Sequence, residues 1–210
     1  AEFFSADATY RKSLHSAHLA IEKALGAPTV LVNAAGGNDP SVNATPEHPI
    51  EAIQLSDWQE HFKLNVGGGI LIPSQEFGAA MCKRGKGSII SLSSLSGHTP
   101  LPRMVAYSAA KAVVINVTKY LAREWADRGV RVNSITPGFI PAEYNRRLLI
   151  NEDGTPGERA EAIFRHTPMK RFGEPDELVG APIFLASRKA SGFVTGIDVS
   201  VDGGFLAQTI

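Results

Sequence analysis

Apolar and polar positions alternate along the chain in two rhythms. Short runs rich in Val, Ile and Leu occur at 28–33, 87–93, 130–136 and 197–201. Runs of this length and β-branched content read as strands, buried on both faces where they are most apolar. Three of them stop at turn residues: 28–33 runs into Ala34-Ala-Gly-Gly37, 130–136 into Pro137-Gly138, and 197–201 into Asp202-Gly-Gly204. Between them lie longer stretches whose apolar residues recur three or four apart, the period of a helix. Strands alternating with helices predict an α/β fold: a Rossmann-type, doubly wound parallel sheet with helices on both faces.

The spacing predicts a helix over 56–83 that opens with a capping box, Ser56 as N-cap and Gln59 reaching back. Its interior holds Asn65, Gly67-Gly-Gly69 and Pro73. An interior proline costs about 3 kcal/mol and each glycine about 1, so a kink is expected. The glycines also leave room for another backbone or a ligand to come close. A second helix is predicted over 106–128, with an apolar face of Val113, Val117, Tyr120, Leu121 and Trp125 and a stop at Gly129. Asn151-Glu-Asp-Gly154 reads as a turn, 158–166 as a helix, and 174–187 as a helix with acids in its first turn. No repeat or linker interrupts the 210 residues, so a single domain is expected over 1–210.

Composition narrows the function. Lys and Arg number 21 and Asp and Glu 21, with a pI near 7.2, which removes the electrostatic reason to bind nucleic acid or an anionic membrane. No apolar run approaches the ~18 residues of a membrane span, and the first residues lack the pattern of a signal peptide. The single Cys82 cannot form an internal disulfide, which fits a reducing, cytoplasmic setting. His15 and His18 lie three apart on a helical stretch without a third ligand at useful spacing, so no metal is expected. Trp58, Phe62, Phe77 and Cys82 read as packing residues, and Lys83-Arg-Gly-Lys86 as a solvated loop.

Tyr107 and Lys111 stand four apart on one helix face. A tyrosine hydroxyl ionises near pH ~10, and a neighbouring ammonium favours its phenolate and brings it toward use as an acid or base. Alone, such a pair is an ordinary surface feature. Its setting changes that: Ser94 follows the strand at 87–93, and Asn33-Ala-Ala-Gly36 and Pro137-Gly138 end two others. Ligands bind at the carboxyl ends of parallel strands. A hydroxyl there can bond a substrate carbonyl while Tyr107 moves its proton.

In this order the residues resemble the short-chain dehydrogenase/reductase family. Asn33-Ala-Ala-Gly36 is similar to its cofactor-side turn, and Asn65, Ser94, Tyr107 and Lys111 fall at its catalytic tetrad. Pro137-Gly138 matches its nicotinamide-side loop, and Val194-Thr-Gly196 with Val201-Asp-Gly-Gly204 its C-terminal signature. The resemblance implies NAD or NADP as cofactor, held by Asp7, Asn33, Ala34, Ala35, Gly36, Tyr107, Lys111, Pro137 and Gly138, with Asp7 at the adenine. It implies hydride transfer with Tyr107 as acid or base, Lys111 on the ribose, Ser94 on the substrate oxygen, and Asn65 holding a water beside Lys111. It implies a homotetramer, or a dimer, joined through the helices that carry Asn65 and Tyr107.

Within the family the chain resembles the sugar-acid branch of D-mannonate oxidoreductases or fructuronate reductases, through Ala34-Ala-Gly-Gly-Asn-Asp-Pro40, Asn145-Arg-Arg-Leu-Leu149, Asn151-Glu-Asp-Gly154, Thr167-Pro-Met169, Arg171-Phe-Gly173 and Ser191-Gly-Phe-Val-Thr195. A sugar acid needs a cation for its carboxylate; Arg146 and Arg147 are candidates, and Arg103 a further one. Asn145 and Asn38 could donate to sugar hydroxyls, and His98 could border the site. The family's Gly-rich diphosphate turn is not in this sequence, which reads as starting inside the family's third strand, at Ala1-Glu-Phe-Phe-Ser5, with the N-terminal part absent. Two alternatives stay open: a 3-oxoacyl or polyol reductase of the same family, and a non-catalytic truncated scaffold.

Overall fold

Four parallel strands pair in sequence order: β1 (Val30–Asn33), β2 (Gly87–Leu92), β3 (Val130–Pro137) and β4 (Asp198–Val201). The computed structural model describes residues 1–141 and 149–208. All four strands lie within a residue or two of their expected positions. Successive side chains of a strand point to opposite faces, and β2 shows the result. Ile89 packs with Met81, Cys82, Leu121, Trp125 and Val132 on one side, while Ile90 packs with Ile135 and Leu185 on the other. The middle of the sheet is therefore covered on both faces, as in a doubly wound fold, whereas on the edge strand β1 Val30 and Val32 are exposed.

Before β1 comes helix α1 (Arg11–Leu25). The long helix after it opens as α2 (Leu55–Phe62), continues through π-helical Lys63–Leu71 and Ser74–Gly78, and closes as α3 (Ala79–Arg84). The expected kink takes the form of wide turns: Ile72 N–H bonds the Gly67 carbonyl, five residues back. The glycines face neighbours, as expected: a Cβ on Gly68 would sit 3.2 Å from the Ala8 backbone, and one on Gly69 3.1 Å from the Ala35 carbonyl. The capping box at Ser56 does not form. Gln54 is the N-cap, its side chain makes no cap bond, and Ser56 is already inside the helix.

Helix α4 (Val105–Trp125) ends through a tight turn at Gly129, whose φ of +73° suits glycine. Its buried face keeps Leu121 and Trp125, with Val117 packed against the core, as expected, but departs from the expected one elsewhere. Ala106, Ala110, Val114, Thr118, Leu121, Ala122 and Trp125 face inward, whereas Tyr120 is exposed. A stripe of alanines lets the helix lie close to the sheet; a reading weighted by bulky residues rotates that stripe toward solvent. Phe77 is in the core, while Trp58 and Phe62 are half-buried and stacked with centroids 5.3 Å apart.

Two further expectations fail. Residues 1–5 form no strand, because no neighbouring strand takes up their backbone, and Phe3 is exposed. The 174–187 segment is not one helix. Glu174 and Glu177 cap each other around a tight turn over Pro175–Leu178, and α-helix begins only at Gly180. Helix α5 (Glu158–His166) stands where expected, α6 (Gly180–Ala186) packs on the sheet, and α7 (Arg188–Ser191) follows it. No helix among the described residues is long and apolar enough to cross a membrane.

Candidate active site

The carboxyl ends of β1 and β2 meet the amino-terminal half of α4. Asn33, the last residue of β1, is buried, and its amide donates to Ser91 Oγ (3.1 Å) on β2 and Ser74 Oγ (3.2 Å) on the π-helical stretch. Asn33 thus ties three elements together beneath the turn. Ala34, Ala35 and Gly36 then leave the sheet with exposed backbone. Gly36 has φ +150°, and a Cβ there would lie 2.7 Å from Asn65 Oδ1 and 3.6 Å from Lys111 Nζ. Only glycine fits.

Asn65 is fully buried. Its Oδ1 accepts the Gly37 N–H at 3.0 Å while its Nδ2 donates to the Gly37 carbonyl at 2.9 Å, so the side chain grips the turn as a strand neighbour would. The wide π turns place this side chain at the turn rather than along the helix. Lys111 is 5% exposed; its Nζ donates to the Leu92 carbonyl (2.8 Å) and lies 5.5 Å from the centre of the Tyr107 ring. Burial pushes its pKa down to about 8. An ammonium at that distance favours the phenolate form of Tyr107.

Ser94 caps a short turn, Leu95–Gly97; its Oγ accepts the Ser96 N–H (3.3 Å) and the Ser96 hydroxyl (3.1 Å). Two contacts set the distance from this turn to α4. Ser93 Oγ donates to the Lys111 carbonyl at 3.1 Å, and a Cβ on Gly97 would stand 2.8 Å from that same carbonyl. Reasoning from sequence missed Ser93, Ser96 and Gly97, although Ser-x-Ser-Gly directly after a strand is a signal for a tight turn. His98 turns away from this cluster, with its Nε2 2.9 Å from Asp198 Oδ2 and 3.2 Å from Thr136 Oγ1.

Pro137 and Gly138 end β3 beside β4. Gly138 N–H bonds the Val201 carbonyl (2.8 Å), and a Cβ on it would come within 2.6 Å of Asp202 Cα. A cavity of about 370 Å³ opens here, lined among others by Phe139, Met169, Arg171 and Asp202. Asp7 is exposed and bonds Thr9 through its hydroxyl (2.7 Å) and N–H (2.8 Å), which hold the Asp7 carboxyl below its usual range. Arg103 is exposed at φ +71°, and its carbonyl takes the Ala44 N–H. Asn38 is exposed beside the turn. Asn145, Arg146 and Arg147 lie outside the described residues. His15 and His18 both bond Glu76 Oε1 at 2.9 Å.

The residues present suit the nicotinamide–ribose end of a dinucleotide. Backbone at 34–36 is exposed, a Cβ at Gly36 would fill the space beside Lys111, and Lys111 offers a buried cation.

A family profile described as Enoyl-(Acyl carrier protein) reductase matches residues 1–206. The chain is 43% identical over 212 residues to the uncharacterized oxidoreductase UxuB of Bacillus subtilis strain 168, covering 98% of this chain and 76% of that protein. Its fold superposes with a TM-score of 0.90 and 36% identity on a protein from Haemophilus influenza, provisionally assigned as a D-mannonate oxidoreductase, with bound NAD; the match covers 97% of this chain and 76% of that one. It also superposes, with a TM-score of 0.84 and 32% identity, on a gluconate 5-dehydrogenase from Burkholderia cenocepacia J2315 in complex with NADP and tartrate, over 97% and 74% of the two chains.

Proposed function

This chain belongs to the short-chain dehydrogenase/reductase family and is an NAD(P)-dependent oxidoreductase of secondary alcohols and ketones, and from that premise we propose that its substrate is a hydroxy or keto sugar acid such as the D-mannonate/D-fructuronate pair. The observation that carries the site assignment is the packing of the Ser94 turn and the Gly36 turn against the same residue, Lys111. Similarity to proteins named for mannonate and gluconate supports the substrate class.

In this reading a bound nicotinamide supplies or accepts the hydride at the carbon that changes oxidation state. Tyr107 gives its phenolic proton to the carbonyl oxygen in reduction and takes it back in oxidation. Lys111, charged and 5.5 Å from the Tyr107 ring, stabilises the phenolate that reduction leaves behind. Ser94 bonds the substrate oxygen. Asn65 holds the turn at Gly37 that faces the cofactor, and the exposed backbone of 34–36 with Gly138 borders it. Arg146, Arg147 and Arg103 supply cations for the substrate carboxylate, and Asn145 a hydroxyl partner. The exposed Leu55, Leu64, Leu71 and Tyr120 on the helices carrying Asn65 and Tyr107 suit burial in a homotetramer or dimer, and the reading includes a cytoplasmic setting.

Two measurements test it. Fluorescence titration with NADH and NADPH should show binding of at least one, and turnover should follow with fructuronate or mannonate. Arg146→Ala and Arg147→Ala should raise KM for the acid roughly tenfold, as expected for loss of a charged hydrogen bond, and leave a neutral ketose nearly unchanged. Equal effects on both substrates would remove the carboxylate clamp, and absence of nicotinamide binding would remove the whole reading.

A further inference from the structure

His61 stands one turn before Asn65, 4% exposed, with its ring edge-on to Tyr107 at 6.2 Å between centroids. Its chemistry follows from a chain of constraints that starts at the backbone. A peptide N–H only donates and a peptide carbonyl only accepts. Gly37 therefore fixes which end of the Asn65 amide is which: Oδ1 on the N–H at 3.0 Å, Nδ2 on the carbonyl at 2.9 Å. Nδ2, a donor without a lone pair to offer, also lies 3.1 Å from the His61 carbonyl and 3.2 Å from His61 Nε2, so its two protons are shared among three acceptors and a proton on Nε2 would point at a donor. Nε2 must then present its lone pair, and the single ring proton belongs on Nδ1. That atom is buried and has no hydrogen-bond partner among the described residues.

We propose that His61 is a positioning residue that holds Asn65, and through it the Gly36–Gly37 turn, by staying a neutral imidazole protonated on Nδ1. The assignment rests on the reading of Asn65, Tyr107 and Lys111 as the active site. The groups that face the ring are Lys111 and Tyr107 from α4, Asn65 from its own helix, and Asp39 from the segment after β1. Burial disfavours the imidazolium, Asp39 favours it, and Lys111 disfavours it, with a net lowering of the His61 pKa. When the ring does take a second proton, Nε2–H confronts the Asn65 amide donor. Two donors repel, so Asn65 gives up either its bond to Gly37 or its place beside Gly36, and the turn loosens. The acid side of the pH profile is then set partly by a group that touches neither substrate nor cofactor.

The test reads the imidazole directly. In uniformly 15N-labelled protein, long-range 1H–15N spectra should show His61 protonated at Nδ1 at neutral pH, and the Gly37 amide should move with the His61 midpoint as the pH falls. His61→Gln places an amide oxygen where Nε2 stood and cannot titrate, so the Gly37 amide should stop following pH and turnover should stay within about threefold of the parent. His61→Leu removes the acceptor and should lose roughly tenfold or more in kcat, as displaced catalytic geometry does. An Nε2-protonated ring, or a Gly37 amide indifferent to the His61 titration, overturns the proposal even if neither variant folds. The spectra need no substrate, so a missing dehydrogenase activity beside an intact His61–Gly37 coupling would strike the proposed function alone.

Discussion

The two ends of the sheet edge where ligands are expected are built from different materials. At β1 and β2 the wall is polar and buried: Asn33, Asn65, Ser91, Ser93 and Lys111 are each at most 5% exposed. Their bonds run to one another, to Gly37 and to the Leu92 and Lys111 carbonyls. At β3 and β4 polar bonds lie deeper in the sheet, where Asp198 meets Ser134 and His98, and the wall at the strand ends is made mostly of shape. Gly138 lies against Asp202, Phe139 packs on Phe205 at 5.5 Å and Phe164 on Phe172 at 4.7 Å, beside an open cavity and an exposed ion pair. Hydrogen bonds fix direction as well as distance, most strongly where water is excluded. Aromatic and glycine contacts fix volume and tolerate rearrangement. The first wall suits groups that must meet a reacting atom at one geometry, the second a substrate of variable outline.

The sharpest way to break this contrast is Tyr107→Phe. Phenylalanine keeps the ring and its edge contact with His61 but removes the transferable proton. Turnover should fall by roughly 10²–10⁴, the usual share of a positioned acid–base group, while nicotinamide affinity stays within about threefold. Steady-state kinetics beside a fluorescence titration separate the two. Unchanged turnover would remove Tyr107 from proton transfer; a parallel loss of binding would mean that its hydroxyl serves the wall and not the chemistry.

The same contrast explains what the sequence could reveal. Strands 28–33 and 130–136 carry long β-branched runs bounded by glycine and proline, so local signals and the fold agree. Ser94, Tyr107 and Lys111 were readable because one strand end and one helix face suffice to place them. The shape of the long helix was not. Gly67-Gly-Gly69 and Pro73 announce a disturbance, but whether it becomes a kink or π turns depends on Ala8 and Ala35 pressing against the glycines, which are tertiary contacts. The Ser56 capping box failed because the chain enters the helix two residues earlier, at Gln54. A contact of Asn65 stayed hidden for a similar reason: no local pattern says that its amide grips Gly37, 28 residues away. His61 escaped notice because a histidine within a helix has no signature until its neighbours are known.

Lys111→Met sharpens the comparison from the side of stability. The folded state lowers the Lys111 pKa from an ordinary 10.5 to about 8 through burial. Below pH 8 the ammonium is charged in both folded and unfolded chains, and the folded protein bears the full cost of burying it. Between pH 8 and 10.5 the folded lysine is already neutral while the unfolded one still holds its proton, so this cost fades as the pH rises. Each pKa unit is worth about 1.4 kcal/mol, so methionine should stabilise the fold at pH 7 by up to about 3 kcal/mol, less about 1 kcal/mol for the lost bond to the Leu92 carbonyl. Thermal melts should show a higher Tm at pH 7, a shrinking gain toward pH 10, and no turnover. A lower Tm at pH 7 would show that the polar wall is stabilising as well as directing, and the distinction between function and stability there would fall.

The smallest effect is expected on the other wall. Arg171 Nη1 and Nη2 each meet a Glu177 oxygen at 2.7 Å, and Glu177 also accepts the Glu174 N–H at 2.8 Å. The Arg171 contact first, then that N–H, hold the Glu177 pKa down at about 2. The geometry is bidentate, yet both side chains are about half exposed, 51% and 44%, so water and salt screen the charges. Arg171→Gln should therefore lower Tm by no more than about 2 °C at low ionic strength, with the difference vanishing near 1 M salt. Because Glu177 has a depressed pKa, its contribution should hold at neutral pH and disappear as the pH falls from about 4.5 toward 2. Glu177→Ala should cost more than Arg171→Gln, since it also frees the Glu174 N–H that closes the turn before α6. If Arg171→Gln instead shifts Tm as far as Lys111→Met does, and the shift survives high salt, the β3–β4 wall is held by a polar clamp of its own and the two walls do not differ in kind.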